Sequence, residues 1–357
     1  MITAIIPTYK RPQLLKRAVR SVLNQTYKDF TILIADNASG SETEAVIDSL
    51  MQQDRRIKCF KQPTHVGLAD NFQSALQKTN TPFVCFLPDD DFYAPTFFEE
   101  AVSKFSEYPQ IAFAGGGGDL YINQELEIQY RLSEYPKTGY YEPPQALLAN
   151  FRTSLGIQLP PSLFKTSCVK AVGGFDCRIK FTIDADLINK CTSRFPVYLI
   201  TDRIFYFYYL NPTSLSRSFG YLEQEKDASY LHENILLSSM ASQDKEVVDC
   251  WFREWKLKVY SKLYGHYYAE KEFQNAFSYA SKHYELSNSL SWKRRKTRTQ
   301  LFHRFPVCNT LYTLIQNTER FLRKKIKKGP LINQEMPKYA NHPEAQKWKA
   351  YALSLET

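Results

Sequence analysis

The stretch from Thr81 to Pro95, TPFVCFLPDDDFYAP, sets an apolar run of strand length, Phe83 to Leu87, against three consecutive carboxylates, Asp89, Asp90 and Asp91. Bulky residues without polar interruption suit a parallel strand buried on both faces. Such a strand delivers its charged end to the crevice outside the carboxyl edge of an open α/β sheet, where ligands collect. Adjacent like charges repel and raise one another's pKa values, and a divalent cation reverses both effects. Oxygen-only ligands suit magnesium or manganese, which would in turn hold substrate phosphates. Taken alone, the triplet reads equally as an acidic turn that merely follows a strand, so the neighbouring segments must decide.

Those segments alternate strand and helix. Ala4-Ile5-Ile6 runs into Pro7-Thr8-Tyr9-Lys10-Arg11-Pro12, and Leu14, Leu15, Ala18, Val19, Val22 and Leu23 then share one helix face. Phe30 to Ala35 is a second strand ending at Asp36-Asn37-Ala38-Ser39-Gly40, followed by a helix with Ala45, Val46 and Leu50. Ile57 to Phe60 leads through His65-Val66-Gly67-Leu68 to a helix holding Asn71, Phe72, Ala75 and Leu76. This order implies an α/β fold, a mostly parallel sheet with right-handed crossovers. Three strand ends then present Thr8, Asp36 and the acidic triplet at one edge. With 357 residues and 43% hydrophobic content, the chain has room for one large domain and a smaller one.

The ordered runs IPTYKRPQLLKRAVRSVLNQTYKDFTILIADNAS, HVGLADNFQSAL and FLPDDDFYAP resemble an inverting family 2 glycosyltransferase, over roughly residues 2 to 217. The resemblance implies a GT-A (Rossmann-like) sheet flanked by helices. It implies that Thr8 and Asp36 contact the nucleoside of a nucleotide-sugar donor, Asp36 holding the base edge, with a preference for uridine. Tyr9, Arg11, Asn71, Asp89 and Asp90 join them as donor-binding residues, and the triplet becomes a DxD-type site for manganese or magnesium. Pro88 stands where many members have an aspartate two residues before the first of a DD pair. The metal is therefore assigned to the triplet as a unit, Asp91 favoured and Asp89 beside it, with the individual division left open.

A helix from Phe97 to Phe105 and a strand, Ile111 to Ala114, precede Gly115-Gly116-Gly117-Gly118-Asp119. No Lys-Ser/Thr follows and no helix starts there, so a phosphate loop is rejected. The glycines either let the backbone pass close to an acceptor or to the sheet, or supply flexibility. In the Tyr- and Pro-rich residues 120–160, Tyr135, Tyr140 and Tyr141 either stack on sugar faces or belong to the core. Further on, Gly173-Gly174-Phe175-Asp176 precedes Asp184-Ala185-Asp186. A carboxylate at a helix start is an ordinary cap. In the family, the first acid after a GGFD turn serves as general base, which implies that role for Asp184, with Asp186 one position beyond the usual second acid. The family's closing strand and loop match Phe205 to Arg217. Asn211 stands near the place of a histidine in many relatives, and Ser214 and Arg217 are candidates for phosphate contact.

From Tyr221 onward, strand signals give way to amphipathic helical spacing around Trp251, Trp255, Tyr260, Phe273 and Phe277. Domains are expected at 1–218 (catalytic), 219–291 (helical) and 292–357 (basic amphipathic region and tail), with Gly329 to Thr357 a loosely attached tail. The net charge is +9, and Trp292 to Lys328 alone carries twelve Lys or Arg against one acid, Glu319, so the rest of the chain is slightly acidic. Basic residues interleaved with Phe, Leu and Ile suit an anionic membrane surface through 292–328, or else a solvated charged helix. The absence of a recognition module argues against nucleic acid. The opening residues already read as a strand with no charged region before them, so no signal peptide is expected. No apolar run approaches the roughly 18 residues of a spanning helix. Seven cysteines without a CxxC pair read as reduced thiols. The expectation is a cytoplasmic, metal-dependent glycosyltransferase, peripheral at the inner face of a membrane, acting on a glycan or lipid-linked acceptor. The competing reading is a non-catalytic nucleotide-sugar or scaffold module that keeps the fold.

Overall fold

A computed structural model describes residues 1–126, 128–131, 136–152, 156–211, 221–233, 242–304 and 343–356. The chain divides into two units, one of residues 1–219, 229–248 and 337–357, the other of residues 220–228 and 249–336.

In the first unit the chain runs β1 (Ile2–Thr8), α1 (Pro12–Leu23), β2 (Phe30–Asp36), α2 (Ser41–Gln53), β3 (Ile57–Lys61), α3 (Leu68–Gln77) and β4 (Phe83–Phe86). Next come β5 (Phe92–Tyr93), α4 (Phe97–Glu107), β6 (Phe113–Gly116), β7 (Asp119–Ile122), β8 (Ile128–Arg131), β9 (Gly139–Tyr141) and α5 (Gln145–Arg152). β10 (Ser162–Lys165), α6 (Thr166–Ala171), α7 (Ile183–Arg194), β11 (Val197–Ile200) and β12 (Tyr206–Tyr209) follow. Eight strands form one sheet in the order β3-β2-β1-β4-β10-β6-β11-β9. β3, β2, β1 and β4 are parallel, and β10 is antiparallel to both β4 and β6. A second sheet, β5-β12-β7-β8, stands beside it.

β1 is buried along its whole length, as a central parallel strand covered on both faces must be. Its side chains alternate: Ile2, Ala4 and Ile6 enter one core with α1 and α4, while Ile5 enters the other with Phe72, Phe86 and Phe175. Pro12 opens α1, where its missing N–H costs nothing, and Leu15, Ala18, Val19 and Val22 bury the face the spacing predicts. Two polar residues, Arg17 and Ser21, are buried on the same helix. β1 and β2 pair with Thr8 beside Asp36. β4 reaches the same edge, Leu87 donating to the Ile5 carbonyl at 2.9 Å. The order of these strands places the three sequence motifs side by side.

The glycine run serves the sheet, because β6 starts two residues later than the sequence suggests and absorbs Gly115 and Gly116. Gly118 has φ +79°, and a Cβ there would overlap the carbonyl of Arg203. That closeness lets the Gly118 carbonyl accept from Phe205 at 2.7 Å, which fixes the start of β12. Tyr140 stacks on Tyr108 with centroids 5.4 Å apart, and both Tyr140 and Tyr141 pack partly against the core. Tyr135 lies outside the described residues.

In the second unit, α8 (Tyr221–Leu231) and α9 (Ser242–Ala269) span the division between the units, and α10 (Phe273–Ser287) and α11 (Leu290–Arg304) lie within it. Leu263, Tyr264, Ala276, Ala280 and Trp292 form its core. The boundary expected at 291/292 therefore falls inside α11, because Trp292 is an anchor of that core and not the start of an appendage. Residues 305–328 of the basic segment lie outside the described residues.

The tail expectation is corrected. Residues 343–354 form α12 (Pro343–Ser354), which belongs with the first unit. Ala345, Ala352 and Leu355 are buried against Phe92, Leu120, Ile122 and Phe207 of the second sheet. The stripe Ala345, Trp348, Tyr351, Ala352 and Leu355 has helical spacing, but its small and aromatic residues give a weak sequence signal. No described helix is long and apolar enough to cross a membrane.

Candidate active site

The site begins where β1 and β2 end. Thr8 and Asp36 are neighbours in register, and the Thr8 carbonyl accepts from the Asn37 amide at 3.0 Å. One carboxylate oxygen of Asp36, Oδ1, accepts from the Ser39 amide at 3.1 Å. The other, Oδ2, is buried without a hydrogen-bond partner, although an unsatisfied buried acceptor is costly. Asn71 does not face this crevice. It is fully buried, donating to the Ala35 carbonyl at 2.9 Å and accepting from Gln62 at 3.3 Å, so it holds the ends of β2 and β3 together. Tyr9 is 37% exposed, its ring centroid 4.1 Å from that of His65.

The acidic turn meets this edge directly. Thr8 Oγ1 donates to Asp89 at 2.8 Å. One Arg11 nitrogen bridges Asp89 at 3.3 Å and Asp90 at 3.2 Å. Asp91 points the other way, one oxygen accepting from the Tyr206 hydroxyl and the other from the Tyr209 amide at 2.8 Å. The three carboxylates thus divide their work: Asp91 anchors the turn to β12, and Asp89 and Asp90 face Arg11. Asn211 donates an amide hydrogen to Asp90 at 3.5 Å. Ser214 and Arg217 lie outside the described residues. Burial first, and the neighbouring Asp90 second, push both Asp89 and Asp91 above the ordinary carboxylate range. Arg11 pulls Asp89 back down, and the Tyr206 and Tyr209 hydrogen bonds do so for Asp91.

Among the described residues, no three His, Cys, Asp or Glu side chains converge to cage a metal ion. Magnesium-like ions seldom use such a cage, and one or two carboxylates plus substrate phosphates are their usual ligands. Asp89 and Asp90 offer that donor set. The raised pKa of Asp89 marks negative charge the protein leaves partly uncompensated, so the residues fit a hard divalent cation.

The second centre is the start of α7. Gln73 on α3 donates to the Gly173 carbonyl at 3.2 Å and accepts from the Phe175 amide at 2.9 Å, which clamps the glycine turn. Asp186 is fully buried and paired with Lys190 at 2.6 Å, a structural ion pair within one helix. Asp184 differs. It is exposed, and desolvation raises its pKa against the backbone hydrogen bonds that lower it. One of its oxygens accepts from the adjacent Ala185 amide at 2.8 Å in the first turn of α7, whose N-cap position is Thr182. It makes no hydrogen bond to the Thr8, Asp36 or acidic-turn groups.

A glycosyl transferase family 2 model matches residues 3–151, the segment that holds the β1, β2 and β4 edge and its acidic turn. Over that segment the chain is similar to the family. The family fold is GT-A, and the sheet described above has its form. Among relatives, a Campylobacter jejuni GalNAc(5)-diNAcBac-PP-undecaprenol beta-1,3-glucosyltransferase is 37% identical over 133 residues, 37% of this chain and 42% of that protein. An Escherichia coli UDP-Glc:alpha-D-GlcNAc-diphosphoundecaprenol beta-1,3-glucosyltransferase, WfaP, is 28% identical over 140 residues, 39% of this chain and 54% of that protein. The matches thus span about half the length of these curated relatives. Of solved structures, S. aureus TarS 1–349 in complex with UDP-GlcNAc superposes with TM-score 0.56 at 13% identity, covering 84% of this chain and 79% of that one. The mannosyltransferase PcManGT of Pyrobaculum calidifontis, in complex with GDP-Man and Mn2+, gives TM-score 0.53 at 12% identity, covering 84% of each chain.

Sequence reasoning missed Arg17, Tyr206 and the Tyr209 amide. A signal existed for Arg17, which sits beside Ala18 in the apolar face of α1. Tyr206 gave none, because its neighbours Phe205 and Phe207 are equally buried.

Proposed function

We propose that the chain is an inverting glycosyltransferase that moves a sugar from a nucleoside diphosphate donor, UDP-linked, to an acceptor hydroxyl in bacterial surface polysaccharide or glycolipid synthesis. The observation that carries this reading is the Asp36 carboxylate oxygen, buried and unpartnered, one strand away from the Asp89 and Asp90 carboxylates. An imide N–H of a uracil ring would satisfy that oxygen, and Tyr9 offers the neighbouring exposed ring for the base.

Asp90, with Asp89 beside it, would hold a manganese or magnesium ion. In this reading Asp91 is the anchor and no longer the favoured ligand, because it turns its carboxylate to β12 while Asp89 and Asp90 face Arg11. When bound, such an ion supplies Lewis-acid stabilisation of the charge on the departing diphosphate. The remaining work falls to the chain. Thr8 orients Asp89, and Arg11 offers a guanidinium to the diphosphate. Asp184 accepts the acceptor's hydroxyl proton as that oxygen bonds to the anomeric carbon. The bond from that carbon to the diphosphate oxygen breaks on the opposite face, and the configuration inverts. General-base help of this kind is typically worth about 10²- to 10⁴-fold. A raised pKa suits Asp184 to the task, since it strengthens the base.

The two curated relatives act on undecaprenol-linked acceptors by name, and we extend a lipid-linked acceptor to this chain. α11 supports a peripheral position at the inner face of a membrane, since Lys293, Arg294 and Arg295 are all exposed. Thermal unfolding with UDP, GDP, TDP and CMP, each with and without manganese, tests the donor. Ligand at a hundredfold its Kd adds about 2.7 kcal/mol of stability. A manganese-dependent shift with UDP, lost in Asp90→Ala, is expected. No shift with any nucleotide would overturn the reading.

A further inference from the structure

Arg17 on α1 is 2% exposed and has no part in the chemistry above. Its guanidinium lies against the rings of Phe92 and Tyr209, 5.2 and 4.0 Å from their centroids. One nitrogen donates to the Asp90 carbonyl at 2.8 Å and another reaches the Glu356 carboxylate at 3.3 Å. The charge also steadies the Asp91 carboxylate, whose pKa it lowers. Burying a guanidinium is costly unless it is paired, and a leucine would fill the same space on the apolar face of α1. What leucine lacks is the reach to join the acidic turn to the end of the chain.

Two more links run in parallel. The Leu355 carbonyl accepts from Arg20 at 2.8 Å, and the Tyr351 hydroxyl donates to the Tyr93 carbonyl at 2.8 Å. Phe92 and Phe207 meet the buried Ala345, Ala352 and Leu355. The last turn of the chain is thus fastened to both sides of the segment Asp90 to Tyr93.

We propose that α12 and Glu356 form a clasp that sets the position of the acidic turn through Arg17. Arg11 and Thr8 hold Asp89 and Asp90 from the donor side, and the clasp holds the backbone behind them. Arg17 is a positioning residue in this account, because at the acidic turn it reaches the carbonyl of Asp90 and not its carboxylate. Residues nearly 340 positions apart in sequence therefore determine one site: Arg17 and Glu356 are separated by 339.

Two full-chain variants test the clasp. Ala352→Asp places a carboxylate at a fully buried position and undocks α12, while Arg17→Met cuts the link and leaves the helix seated. Hydrogen exchange is read in peptides covering residues 87–93 and 343–356, and UDP affinity is measured with manganese well below the melting temperature. Both variants should speed exchange in 87–93 by about ten- to hundredfold, the worth of a lost charge-assisted hydrogen bond. Exchange in β1 and β2 should stay native, and UDP affinity should fall by about tenfold. A helix that only adds stability would lower the melting temperature and leave that affinity unchanged. Native protection of 87–93 in Arg17→Met, or in Ala352→Asp with 343–356 exchanging freely, overturns the proposal. The affinity readout rests on the donor reading and the exchange readout does not. A native chain that binds no nucleoside diphosphate would reject the donor and leave exchange to decide the clasp.

Discussion

Replacing Tyr206 by Phe removes one oxygen and strands Asp91. Both side chains are buried, Tyr206 at 2% and Asp91 at 3% exposure, so no bulk water replaces the lost donor. The Tyr209 amide still serves the other carboxylate oxygen at 2.8 Å. Leaving one buried, charged acceptor unpaired costs about 3 kcal/mol. For a folding unit of this size that is a fall in Tm on the order of 6–12 °C. The loss should depend on pH in a definite direction. Burial already raises the Asp91 pKa and the tyrosine bond opposes the rise, so Tyr206→Phe raises the folded-state value further. The folded variant then binds a proton more readily than the unfolded chain, and its stability deficit shrinks as pH falls through that raised value. Urea unfolding of the native chain, Tyr206→Phe, Asp91→Asn and the double variant, at neutral and at mildly acidic pH, isolates the pair. A deficit below about 0.5 kcal/mol at neutral pH, or one that grows on acidification, would refute the anchoring role of Asp91.

Asp184→Asn should lower the rate of sugar transfer by about 10²- to 10⁴-fold while leaving the Kd for UDP with manganese unchanged. In the native chain, the acid limb of the rate profile should lie above the ordinary aspartate pKa of about 3.9, because desolvation raises that of Asp184. A rate that stays level down to that pH would remove Asp184 from the role of base. Gly118→Ala forces a side chain into the left-handed region and against the Arg203 carbonyl, and should cost about 2–4 kcal/mol in urea unfolding. Because the Gly118 carbonyl fixes the start of β12, the same variant should also weaken manganese-dependent UDP binding.

The parallel half of the fold was legible because it is written locally. Buried strands, a proline-opened helix and polar strand ends recur in order from β1 to β4, and short-range pattern carries all of them. Within the site the same holds for Thr8, Asp36 and Asp89, which the register of adjacent strands brings together. What escaped is long-range. The partners of Asp91 lie 115 and 118 residues downstream, and nothing near the triplet distinguishes the anchoring carboxylate from the other two. Asn71 resembles a ligand contact in its motif, yet it bonds only to backbone and side chain of the neighbouring strands, which pattern alone cannot show. The C-terminal helix was misread because its buried stripe is built of alanine and aromatic residues, and its docking face belongs to a sheet whose strands are scattered from Phe92 to Tyr209.

Charge balance explains why these long-range contacts matter. The Asp89, Asp90 and Asp91 carboxylates have Arg11 on the donor side and Arg17 behind, and Arg17 is itself shared with Glu356, so buried acidic groups outnumber cations here and leave an excess of negative charge when ionised. A polyanionic diphosphate would be repelled by that residue of charge. In the proposed reading a divalent cation would reverse that sign and make the same edge attractive, so nucleotide affinity and ion occupancy would be one linked quantity. The balance holds only while Arg17 stays buried and Asp91 stays anchored, because either group released to water would be screened and its contribution lost. The electrostatics of the donor edge thus depend on elements with no contact to a donor: β12, which fixes Asp91, and α12, which closes over Arg17.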